Sequence, residues 1–74
     1  MEQIFNMKPN EIRNLARECI RQGVVSRAIQ CFERLLWLGK LRQYEYLRLM
    51  VMYKAIKNIL GAERVIKRYK AIYI

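Results

Sequence analysis

Arg13, Arg17 and Arg21 recur at every fourth position, a spacing that lines them along one helix face as a cationic stripe. Guanidinium groups presented in a row can fork onto carboxylates or phosphates. Glu18 is adjacent to Arg17 in sequence and therefore does not pair with it across a helical turn. The plain alternative is a solvated face. A second basic set, Arg27, Arg34, Arg64, Lys67, Arg68 and Lys70, is suited to phosphate contacts, each cation adding to affinity and to salt dependence. Trp37, between Leu36 and Leu38, is the best single hot-spot candidate for a protein partner, because tryptophan dominates buried interface energetics. Trp37 and the tyrosines Tyr44, Tyr46, Tyr53, Tyr69 and Tyr73 read mainly as core or interface, with base stacking on one or two of them as the sharper alternative.

Catalysis finds little to work with. The chain has no histidine, and its acids, Glu2, Glu11, Glu18, Glu33, Glu45 and Glu63, are spread out. No glycine-rich phosphate loop or metal-ligating cluster is written into it. Cys19 or Cys31 as a nucleophile would lack a histidine base, although a nearby arginine could lower a thiol pKa. Two cysteines without histidine cannot make a structural zinc site. They read as buried thiols of a reducing compartment, with a Cys19–Cys31 bridge across a hairpin as the alternative. The expectation is a non-enzymatic chain with no cofactor and no metal.

Charge points outward instead. Fifteen Lys and Arg against six acids give a formal net charge of +9, which favours nucleic acid, an anionic membrane surface or an acidic protein segment. The basic residues are scattered and form no disordered arm. Residues 1–7 lack both the basic start and the apolar run of a signal peptide. No stretch reaches the roughly 18 uncharged apolar residues of a membrane span. A soluble intracellular protein is expected, cytoplasmic or nuclear. Yet 54% of the residues are apolar, high for a chain whose core is marginal at this size. Some of that apolar surface is expected to meet a partner.

The elements that position these groups are helical. Ile12, Leu15, Ala16, Cys19 and Ile20 repeat at helical spacing behind Pro9, and Gly23 suits the left-handed residue that ends the run. Val25, Ala28, Ile29, Phe32, Leu35 and Leu36 form a second face, closed at Gly39-Lys40. The third run, about 41–57, carries Tyr46, Leu49, Met50, Tyr53 and Ile56 on one side and Leu47, Val51, Met52 and Ala55 on the other. A helix apolar most of the way round is expected to lie between neighbours. After a break at Asn58, the last run holds Ile59, Ala62, Val65, Ile66, Tyr69 and Ile72 on one stripe, with Arg64, Lys67, Arg68 and Lys70 opposite. Nothing ahead of Pro9 reads as regular structure, and no segment alternates like a strand. Short turns between four helices imply two antiparallel hairpins.

Sliding the sequence by 34 residues sets Ile12 on Tyr46, Leu15 on Leu49, Ala16 on Met50 and Cys19 on Tyr53, then Ala28 on Ala62, Phe32 on Ile66 and Leu35 on Tyr69. On these residues the chain resembles the tetratricopeptide repeat, whose unit of this length reads W-x2-L-G-x2-Y, then A-x3-F, then P. Ala28-x3-Phe32 keeps the type and spacing of the second part. Met50 is bulky where the family is small, Lys57 stands at the turn glycine and Lys40 at the closing proline. An ordinary bundle with a coincidental period is the alternative.

The resemblance implies an all-α fold of two hairpins stacked in a short tetratricopeptide-like array. Residues 1–8 would form an N-terminal extension and 9–74 a single domain, with units at about 9–40 and 43–74. In that family the first helix of each unit lines a groove that holds a partner peptide. It would place Asn10, Arg13, Arg17 and Arg21, and in the second unit Tyr44, Leu47, Val51 and Lys54-Ala55, on that surface. Two units are fewer than usually close such a stack, so Tyr69, Ile72 and Tyr73, with Ile74, are expected at an oligomer interface, most simply a homodimer's. The expected function is thus a small basic adaptor or regulatory module that binds an acidic or amphipathic segment of another protein. The alternative is a helical nucleic-acid binder using the basic residues of the second helices, including Asn58 to Tyr69 as a recognition helix. Attachment to anionic membranes is a third class, and a virus or phage accessory protein is one source that fits.

Overall fold

Proline and the left-handed turn residues decide where the helices begin and stop. The computed structural model describes residues 4–74; residues 1–3 of the expected extension, Glu2 among them, and the start of the segment read against a signal peptide lie outside the described residues. Four helices follow in order: α1 (Pro9–Arg21), α2 (Val25–Trp37), α3 (Gln43–Ala55) and α4 (Ile59–Tyr73). α1 packs on α2 and α3 packs on α4, and no strand occurs among the described residues. The fold is all-α and made of two helical hairpins. These form two compact units, Met1–Leu41 and Arg42–Ile74.

In the first unit the facing stripes are Ile12, Ala16 and Cys19 from α1 and Ala28, Cys31, Phe32 and Leu35 from α2, all buried. Ala16 and Ala28 are fully enclosed, small residues that let two backbones approach while Phe32 and Leu35 fill the wider space. Cys19 and Cys31 are both buried and both free thiols, so no bridge joins them. In the second unit Tyr46, Leu49, Met52 and Tyr53 meet Ala62 and Val65. Gly61 is required there: a Cβ at that position would come within 2.7 Å of the Tyr53 ring.

The two hairpins share a backbone plan. The helix starts Pro9 and Gln43 are 34 residues apart, and so are Val25 and Ile59. At the head of α1 the Lys8 N–H donates to Glu11 Oε1 at 2.8 Å, and at the head of α3 the Arg42 N–H donates to Glu45 Oε1 at 2.9 Å. Each carboxylate satisfies a donor that the helix start leaves unpaired. That bond also corrects the expected start of the third helix near Leu41. Arg42 is extended (φ −84, ψ 161), and the helix begins after it.

Both turns close alike. The Val24 N–H reaches back to the Cys19 carbonyl at 2.8 Å, and the Asn58 N–H to the Tyr53 carbonyl at 2.9 Å, the long bond of a Schellman turn. Such a turn needs one left-handed residue. Gly23 supplies it at φ 78, and Lys57, a residue with a Cβ, is held at φ 64. One departure lies ahead of α1, where Ile4–Asn6 forms a single 3-10 turn closed by Met7 N–H to the Ile4 carbonyl at 3.1 Å. Three residues are too few to leave a periodic signal in sequence.

Left-handed backbone costs an L-residue on the order of 1 kcal/mol. Lys57→Gly is therefore expected to stabilise the chain by about 1 kcal/mol, and Gly23→Ala to destabilise it by about as much. Urea unfolding followed by helical circular dichroism measures both. Equal and opposite shifts would confirm that the two turns are conformational equivalents. A destabilising Lys57→Gly would refute it.

Candidate functional site

The α1 arginines do not form one free stripe. Arg13 is only 7% exposed, at the edge of the face that buries Ile12 and Ala16, and its Nη2 donates to the Lys40 carbonyl at 2.7 Å. This charge-assisted bond satisfies a carbonyl just beyond the end of α2. Arg13 is part of the fold, which corrects the reading of a continuous cationic surface. Arg17 is exposed. Arg21 is exposed too, but its Nη2 lies 2.6 Å from the Glu18 carboxylate, which also accepts from Gln22 Nε2 at 2.6 Å. The Arg21 hydrogen bond holds the Glu18 carboxyl below the ordinary carboxylate range and raises Arg21 in turn. Of the three arginines, one is structural and one is neutralised locally.

The second basic set is divided as well. Arg27 and Arg34 on α2 are half-buried, and Arg34 lies over the Phe5 ring, 4.8 Å from its centroid. On α4, Arg64 donates to the Tyr53 hydroxyl at 3.2 Å, while Lys67, Arg68 and Lys70 are exposed. Arg68 also acts on the Tyr46 phenol. Burial pushes that phenol above its ordinary value, Tyr73 adds to the rise, and Arg68 opposes it.

Tyr69, Ile72 and Tyr73 separate in the same way. Tyr69 and Tyr73 pack edge-on against Tyr46 at centroid distances of 6.0 and 5.8 Å, within the preferred range for aromatic pairs. The Tyr69 hydroxyl accepts from Gln43 Nε2 at 3.0 Å. These two rings are thus engaged inside their own hairpin. Ile72 and Ile74 remain 53% and 89% exposed.

α3 carries an unpartnered surface. Its inner face is buried, but Tyr44, Leu47 and Val51 stand 50%, 48% and 66% exposed. The expectation that this helix is covered on both sides is therefore corrected. At 100° per residue the three fall within an arc of roughly 60°. Lys54 flanks that arc on one side and Arg48 on the other, both exposed. The result is a short apolar seam with a cation on each edge.

A second feature brings Trp37 and Arg34 together with residues that the sequence did not single out. Ile4, Phe5, Gln30, Glu33, Arg34 and Trp37 line an open cleft of about 650 Å³. Trp37 is 81% exposed and Phe5 74%. The α2 half was legible, since Gln30, Glu33, Arg34 and Trp37 share one helical face. Phe5 was not, because the 3-10 turn that brings it there has no periodic signature.

Among the described residues no group of three or more potential ligands could hold a metal ion. No described helix is long and apolar enough to cross a membrane.

The roles of the α1 arginines separate by substitution. Arg13→Met leaves the Lys40 carbonyl without its charged donor and is expected to cost about 1.5–3 kcal/mol of stability. Arg17→Met, on the exposed face, should stay within about 0.5 kcal/mol. Matching denaturant midpoints for the two variants would contradict this assignment. Compared with known proteins, the chain matches no family model, no curated relative and no solved structure.

Proposed function

We propose that this chain is a non-enzymatic interaction module that docks an acidic, amphipathic helical segment of another protein on the outer face of α3. The observation that carries the reading is the exposed Tyr44–Leu47–Val51 seam edged by Arg48 and Lys54. Anchors at i, i+3 and i+7 are the pattern by which one helix lays its apolar face against another. Cations on both edges select carboxylates at the rim of the incoming helix. The resemblance to tetratricopeptide units points the same way, because α3 is the first helix of its hairpin and first helices bear the partner surface in that family.

Charge discriminates among occupants. A second copy of this chain brings a further +9, so a homodimer joined through a cation-edged seam would work against its own electrostatics. An acidic segment gains from the same field, mainly in association rate and selectivity. The lack of histidine, with dispersed glutamates, supports binding over catalysis.

A display selection of helical peptides on the immobilised chain is expected to enrich apolar residues at i, i+3 and i+7 flanked by Asp or Glu. Leu47→Asp with Val51→Asp should weaken the selected peptide by roughly 30-fold or more, the scale of a hot-spot loss, with helicity unchanged. Arg48→Glu with Lys54→Glu should slow association and flatten its salt dependence. Enrichment of basic peptides, or binding that survives the Leu47/Val51 pair, would reject the α3 site.

A further inference from the structure

The Phe5–Trp37 cleft belongs to the first unit and is independent of the α3 seam. We propose that it is a single-stranded nucleic-acid site, in which an unstacked base lies on Trp37 and Phe5 while Arg34 meets the adjoining phosphate. Three observations combine in one place. Two large π-faces stand in water, Trp37 at 81% and Phe5 at 74% exposure, an arrangement whose apolar area gains when a flat ring covers it. A cation lies beside them, the Arg34 guanidinium stacked 4.8 Å from the Phe5 centroid. The cleft volume of about 650 Å³ falls in the range that takes a small planar ligand.

The polar lining fits a base edge. Gln30 and Glu33 lie one turn before Arg34 and Trp37 on the same face of α2 and also line the cleft. A carboxamide offers donors and an acceptor, and a carboxylate offers acceptors only. The Gln30 carboxamide can therefore meet either kind of group on a base edge, whereas Glu33 is already engaged within the chain. The stacking residues set the position of the base and Arg34 the direction of the strand. Exposed cations elsewhere on the chain, within a net charge of +9, raise the local concentration of any polyanion.

Charge complementarity alone would accept any polyanion, so the decisive property is dependence on the bases. Trp37 is the sole tryptophan, and its fluorescence therefore reports this cleft alone. The full chain is titrated with an oligodeoxyadenylate of about eight nucleotides, within the usual span of single-strand sites, and with an abasic strand of equal length. Quenching by the adenylate strand, with the abasic strand binding roughly 10-fold or more weaker, is expected. Phe5→Ala should weaken the adenylate strand by roughly 5- to 150-fold, the range for losing one stacked base. Arg34→Gln should weaken it and reduce the slope against salt by about one counterion.

Phe5 is largely exposed, so its replacement leaves the hairpin folded, which circular dichroism checks. Leu47→Asp with Val51→Asp should leave the titration unchanged, which separates this site from the α3 seam. Equal affinity for the two strands would reduce the interaction to bulk charge and overturn the proposal. Quenching indifferent to Phe5→Ala, or produced by an acidic aromatic peptide in preference to the oligonucleotide, would also overturn it.

Discussion

A helix of thirteen residues, the length of α1, α2 and α3, is marginal on its own in water. Each must therefore be folded straight back onto a partner, and the turn that reverses it is the constraint on which the rest of each hairpin depends. Cys19 to Val24 and Tyr53 to Asn58 close these turns with the same long backbone bond. Both demand a left-handed residue, supplied by glycine in one and by a strained lysine in the other. Once the chain reverses, the crossing has to be close. Ala16 with Ala28, and Gly61 under the Tyr53 ring, are what permit it.

Small hairpins consume polar residues that a larger domain would leave free. Arg13 serves a carbonyl beyond α2, Arg21 is tied to Glu18, and Arg64 is bonded to Tyr53. Tyr69 and Tyr73 pack against Tyr46. What remains available for binding is the complement of these uses. In the second unit it includes the outer face of α3, along with exposed Leu60, Ile72 and Ile74, and in the first it includes the cleft beside Trp37. Each surface joins an apolar patch to a neighbouring cation, because a chain with so large an excess of lysine and arginine rarely exposes one without the other.

The fold was largely legible because helix periodicity and turn residues are local signals. The stripe from Ile12 to Cys19, with Gly23 behind it, marks α1 within a residue or two, and Asn58 marks the start of α4. Periodicity set Leu47 and Val51 on a second apolar side of α3, and only the tetratricopeptide resemblance added Tyr44 to them; neither could tell an outward apolar face from a second buried one. Side-chain commitments were not legible. The spacing of Arg13, Arg17 and Arg21 describes a common face, but whether a guanidinium faces solvent or a backbone carbonyl depends on where the α2 end passes. Phe5 was hidden for a related reason: its position follows from a three-residue turn packed on α2, a tertiary fact with no period of its own.

Charge and apolar contact act over different distances in these surfaces. At physiological ionic strength the field of a +9 chain is screened beyond about 8 Å, so it favours anions in general and does not discriminate among them. Choice arises at contact, where ring faces and aliphatic side chains lose water. At the α3 seam the cations lie on the edges of the apolar arc, so in the proposed complex rim contacts would stay in high dielectric and govern approach more than residence. In the cleft, Arg34 is half-buried and stacked on a ring, so its charge is less screened and its orientation is already fixed. Less conformational entropy then remains to be lost when a ligand arrives. The cations of the two surfaces thus differ in how far packing has already decided where they point: Arg34 is held over a ring, whereas Arg48 and Lys54 stand in solvent.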